Sequence, residues 1–137
     1  MSHLDLQLIK GPFINHCNFN VKDNDYKHTK SVSIETLYSY NIEIDSEKKI
    51  VTTRLAIQSE TETIPFSFDV KAAAQFHYNK LPKKEDDIQK KIFIETIPYI
   101  FSFIKELVAD MTRKAYFSPF YIPYLDMKKE KFDKVIK

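Results

Sequence analysis

Apolar residues alternate with polar ones along most of the chain as far as Tyr78, and the period then changes. Leu4, Leu6 and Leu8 are separated by polar or charged neighbours, the spacing of two expected of a half-buried strand. Gly11-Pro12 interrupts this run as a bulge or bend. Alternation resumes in FINHCNFNV, with Phe13, Cys17, Phe19 and Val21 on one side. After the polar connection KDNDYKHTK, the run SVSIETLYSYNIEID places Val32, Ile34, Tyr38, Tyr40, Ile42 and Ile44 on one face and Glu35, Asn41 and Glu43 on the other. DSEKK turns the chain into KIVTTRLAIQS, where Val51, Leu55 and Ile57 share a side. Beyond SETET a fourth run carries Ile64, Phe66, Phe68, Val70, Ala72, Ala74, Phe76 and Tyr78. Short polar connections between alternating runs predict hairpins, and the four runs predict a four-stranded antiparallel sheet with long strands.

From Leu81 the spacing becomes helical. LPKKEDD is a charged linker whose acids suit a helix N-terminus. IQKKIFIET reads as a short helix, and Pro98 as the first turn of a second, longer one. In that helix Ile97, Ile100, Phe101, Ile104, Leu107, Val108, Met111 and Ala115 recur at the spacing of one buried stripe. Asp126 then caps a short C-terminal helix, MKKEKFDKVIK, with Met127, Phe132, Val135 and Ile136 on one side. The expectation is an α+β fold, strands first and helices last, in one domain over residues 1–137.

Composition narrows the function. A chain of 137 residues has enough length for one core, and Lys plus Arg exceed Asp plus Glu by only two, which argues against a dedicated nucleic-acid binder. The one cysteine, Cys17, cannot form an internal disulfide and fits a reducing cytoplasm. MSHLDLQLIK carries an early acid and no apolar core of a secretory signal, and no apolar run is long enough to insert across a bilayer. A single glycine, Gly11, excludes phosphate-cradling loops, which need several. His3, His16, His28 and His77 share no chelating spacing, so neither a metal nor any other cofactor is expected. A Cys17/His77 nucleophile pair is the best candidate for an enzyme. Cys17 falls among the apolar positions of its strand, however, where a buried structural thiol is expected.

The unusual stretch is YFSPFYIPYLDM, with Tyr116, Phe117, Phe120, Tyr121 and Tyr124 around Pro119 and Pro123. The prolines oppose helix and favour an extended segment. Such aromatics either tether a loop to a core or line a binding surface, since Phe and Tyr give large contact area at low entropy cost. Phe117, Phe120, Tyr121 and Tyr124 are the candidate wall of a groove, with Tyr26, from the connection after the first strand, opposite. Tyr99 and Phe103 form a second apolar line on the long helix. That line is either part of a broad core-facing arc or a contact with another subunit.

In element order and in short motifs the chain resembles the SecB family of protein-export chaperones, over roughly residues 4–136. IPFSFDVKAAAQFHY is similar to the family's fourth strand, which ends in small residues and an aromatic. TIPYIFSFIKELVADMTRKAYF is similar to its long helix, with Ile97-Pro98-Tyr99 at the start and Arg113 near the end, and SPFYIPYLD to its helix-connecting loop. The resemblance implies an ATP-independent holdase, not an enzyme. It implies a homotetramer, a dimer of dimers, that binds non-native polypeptides through an aromatic groove in the cytoplasm. Its alternative is a SecB-like chaperone dedicated to one protein, such as a toxin–antitoxin component, without an export role. Lys114 and Ala115 stand where the family has a glycine after the helix-terminal arginine. The family's acidic balance is missing and the tail is lysine-rich. Acidic surface and tail are associated with docking to the export ATPase SecA, so these departures put that partnership in question.

Overall fold

The two central strands of the sheet are those with the most buried residues. The computed structural model describes residues 6–21, 36–59, 66–81, 85–115, 117 and 119–122. Four strands, β1 (Leu6–Val21), β2 (Thr36–Asp45), β3 (Ile50–Ser59) and β4 (Phe66–Tyr78), precede one helix, α1 (Glu85–Lys114). All neighbours are antiparallel and the sheet order is β1-β4-β3-β2. β2–β3 and β3–β4 therefore pair in sequence, as the short connections predict. β1 instead lies beside β4, so that β1 and β2 occupy opposite edges.

Alternation decides the faces. Val51, Thr53, Leu55 and Ile57 of β3 and Phe66, Phe68, Val70, Ala72, Ala74, Phe76 and Tyr78 of β4 are all buried and belong to one side. α1 lies on that side, burying Ile92, Phe93, Ile97, Ile100, Phe101, Ile104 and Val108 against it. Tyr40 meets Phe93 edge-on at 4.7 Å, and Tyr38 lies 6.4 Å from Phe101, so β2 joins the core through aromatic rings. The opposite face presents mainly polar residues, among them Arg54, Asn41, Glu43, Asp69 and Lys71.

Two local expectations are corrected. α1 is a single helix running through Pro98 rather than two helices divided there. Proline costs a helix interior about 3 kcal/mol. Here the buried stripe from Ile92 to Phe101 spans the proline without a break, and packing of an amphipathic face outweighs that local cost. The carbonyl of Ile94, which proline cannot serve, belongs to an exposed residue. The second correction concerns β1, which continues through Gly11-Pro12 but shifts register between Leu8 and Lys10, Lys10 and Phe13, and Ile14 and His16. Each shift exchanges faces. Phe13 pairs with Ala73 and so leaves the side shared by Cys17, Phe19 and Val21, which pair with Val70, Phe68 and Phe66. The expected C-terminal helix lies outside the described residues.

Candidate functional site

Thr112, in the last turn of α1, organises the aromatic segment. Its carbonyl accepts backbone N–H groups from Ala115 at 3.2 Å and Phe117 at 3.0 Å, closing the helix end. Its hydroxyl is fully buried and lies 3.1 Å and 2.9 Å from the carbonyls of Val108 and Ala109. The same oxygen accepts the backbone N–H of Phe120 at 2.9 Å. One residue thus closes the helix end with its carbonyl and catches the loop eight residues on with its hydroxyl.

The captured aromatics divide by depth. Phe117 is buried, with its ring 5.3 Å from Phe66. Phe120 is half-buried and lies 6.1 Å from Phe66 and 6.0 Å from Phe68. Phe19, from the edge strand, stacks on the other flank of Phe66 at 5.6 Å. Ile122 is buried again, while Tyr121 between them is 58% exposed. Tyr121 borders a cleft of 490 Å³ with Phe103, Glu106, Leu107, Ala109, Asp110 and Arg113. Its lining mixes apolar and charged side chains, and Asp110 pairs with Arg113 and Lys114, each at 3.1 Å.

The structure therefore brings Phe117, Phe120 and Tyr121 to one place, the first two as anchors and the third as an open surface. Tyr26 and Tyr124 lie outside the described residues. Phe103 packs against the core and also lines the Tyr121 cleft. Tyr99, one turn earlier, is 42% exposed and its hydroxyl reaches the Gly11 carbonyl of β1 at 3.4 Å. Sequence reading did not single out Thr112, Phe66 or Phe68, because a buried hydroxyl and two more aromatics in a strand carry no local signal of a loop distant in sequence. Leu8 and Val21, which alternation places on the apolar side of the first strand, are exposed together with Ile9 and Ile14, because β1 is an edge of the sheet.

Cys17 is exposed rather than buried, because its strand is an edge that α1 covers only in part. Its thiol lies 3.7 Å from the Met111 thioether. Partial desolvation, and after it the Asp69 carboxylate, push its pKa up, away from thiolate chemistry at neutral pH. His77 is seven positions along β4 from Val70, the partner of Cys17, and on the opposite face, so the proposed nucleophile pair does not meet. His16 instead lies 3.5 Å from Asp69 on the polar face. Among the described residues no three His, Cys, Asp or Glu side chains gather as a metal would need, and no helix is long and apolar enough to cross a membrane.

The described architecture and the chain itself both have relatives. The structure matches the Mycobacterium tuberculosis SecB-like chaperone in complex with a ChAD peptide from the HigA1 antitoxin, with a TM-score of 0.70 at 14% identity, covering 88% of this chain and 90% of that one. A protein of unknown function from Streptococcus agalactiae matches with a TM-score of 0.55 at 11% identity, covering 90% of this chain and 100% of that one. No curated protein matches the sequence. At these identities the structural likeness establishes the fold. The sequence goes further, since residues 26–130 match the family model described as preprotein translocase subunit SecB. That match spans more than half of the chain, and it makes this chain a member of the SecB family.

Proposed function

We propose that the protein is an ATP-independent holdase that binds non-native polypeptide segments at the aromatic surface where α1 ends. The observation that carries this reading is the placement of Tyr121, exposed beside a cleft with Phe103, Leu107 and Ala109 in its wall, on a segment anchored by Phe117 and Phe120. Anchored aromatics present contact area without paying for loop ordering at each encounter. β2 supports the same reading. Its ladder with β3 runs through ten residues without a bulge, and among the described elements it meets only β3 and α1. Its outer edge can therefore add backbone hydrogen bonds to any extended client, whatever its side chains. Tyr124 and Tyr26 are assigned to the same groove. No step of this activity calls for a catalytic residue, a cofactor or a nucleic acid, and the family is not an enzyme class.

Tyr99, Phe103 and the apolar residues exposed along β1 are assigned to contacts within a homotetramer in the cytoplasm. Native mass by light scattering, followed by protection of a slowly folding protein from aggregation at stoichiometric amounts, tests the reading. A monomer without protective effect overturns it. Replacing Phe120 and Tyr121 by alanine is expected to weaken client binding with the helix and sheet retained.

A second reading is favoured by the peptide seen on the M. tuberculosis relative: a chaperone dedicated to a single protein such as an antitoxin. Recovery of one dominant partner from cells supports it, whereas many unrelated clients support a general holdase. The near-neutral net charge of +2 gives no electrostatic basis for the acidic docking associated with SecA.

A further inference from the structure

We infer that Thr112 is a positioning residue for client binding, a latch whose hydroxyl holds the aromatic segment in its binding geometry without touching the client. The inference rests on the holdase reading above. A threonine in a helix interior ordinarily returns its hydroxyl proton to a carbonyl of the preceding turn, which leaves the oxygen's lone pairs free. Thr112 does so toward Val108 and Ala109, and a lone pair then receives the Phe120 N–H at 2.9 Å. Donor and acceptor duties are both engaged on an oxygen that solvent does not reach.

The consequence is positional. Phe117 is fixed to the helix end through the Thr112 carbonyl, and Phe120 through its hydroxyl, so one residue holds the segment at two points three residues apart. Tyr121 follows the second point directly and is 58% exposed, so burial of its own ring holds it only weakly. Without the hydroxyl, the Phe120 N–H loses its acceptor beside the core, and the segment from Phe120 to Ile122 keeps only ring contacts and the burial of Ile122. Binding then has to order the segment at each encounter, a cost that lowers affinity. Serine keeps the hydroxyl, whereas valine keeps the shape and loses it.

The test uses the full chain and a permanently unfolded probe, reduced and carboxymethylated lactalbumin carrying a fluorophore. Affinity is read by anisotropy, and exchange of the Phe120 amide by hydrogen–deuterium exchange. Thr112→Val is expected to weaken probe binding about three- to tenfold, the worth of one net hydrogen bond, and to raise Phe120 amide exchange, with native mass and helix content unchanged. Thr112→Ser is expected to restore both. Should the valine variant not fold, Thr112→Cys, whose thiol is a poor acceptor, replaces it with the same expectations. Equal affinity of the hydroxyl-free variant and wild type, or a Phe120 amide whose exchange does not respond to loss of the hydroxyl, overturns the latch. A wild-type protein that binds no probe at all overturns the holdase reading instead, so the two failures are distinct.

Discussion

Gly11→Ala should destabilise the protein far more than one added methyl suggests. Gly11 has φ of 110°, a conformation that side-chain-bearing residues rarely adopt, and it lies close against the backbone of β4. A Cβ built there stands 2.9 Å from the Ala73 carbonyl oxygen, 3.0 Å from Ala74 Cα and 3.2 Å from Ala74 Cβ. The nearest obstacles are backbone atoms of a central strand, so no rotamer change can relieve them. Backbone strain of this kind costs about 1–3 kcal/mol and overpacking a similar amount. A combined loss of about 2–4 kcal/mol is expected once partial relaxation of the register shift is allowed. With an unfolding entropy near 2.1 cal/mol/K per residue, a chain of 137 residues loses about 7–14 °C of Tm. Urea unfolding followed by far-UV circular dichroism, at one fixed protein concentration so that assembly does not confound it, measures the difference. Adding Ala74→Gly should recover only a minor part, because it leaves the Ala73 carbonyl in place. A Gly11→Ala protein within about 0.5 kcal/mol of wild type, the range of ordinary surface changes, would falsify the close-approach argument.

Two further outcomes can be checked independently. The buried hydroxyls of Thr53 and Thr96 lie 3.1 Å apart, and Thr96 also donates to the Ile92 carbonyl at 2.6 Å. Thr96→Val therefore leaves the buried Thr53 hydroxyl without this partner and should cost about 1–3 kcal/mol, whereas Thr53→Val leaves Thr96 bonded to Ile92 and should cost less than about 1 kcal/mol. Equal losses in urea melts would contradict this pairing. For Cys17, desolvation and then Asp69 raise the pKa. The stability this group contributes is complete below the unfolded thiol's value and is lost as pH rises through the folded one. Alkylation by iodoacetamide should accordingly reach half its maximal rate at a higher pH than for a free thiol, and Asp69→Asn should lower that midpoint. A midpoint at or below that of a free thiol contradicts the reading.

Much of the candidate site was legible in the chain, though not its depth. The concentration of aromatics around Pro119 and Pro123 marks the segment, and its place after a long helix is what the family resemblance uses. Spacing alone cannot say which ring faces inward in a non-repeating segment. The structure separates buried Phe117 and half-buried Phe120 from exposed Tyr121. It also gives Phe103 a place in the Tyr121 cleft that helical periodicity left ambiguous between core and interface.

By itself the sequence determined the elements whose apolar period is unbroken. β3, β4 and the stripe of α1 follow from alternation and helical spacing, because each hides one continuous face and slipping by a residue would expose it. Tertiary structure alone decided three matters. It set β1 beside β4 and let bulges turn Phe13 away from Cys17, since strand pairing and register shifts depend on a partner distant in sequence. It carried α1 through Pro98, since burial on both sides of the proline exceeds the local cost. It also joined Phe120 to Thr112, since a hydroxyl in the last turn of a helix becomes an acceptor for a loop only when the chain folds back over it.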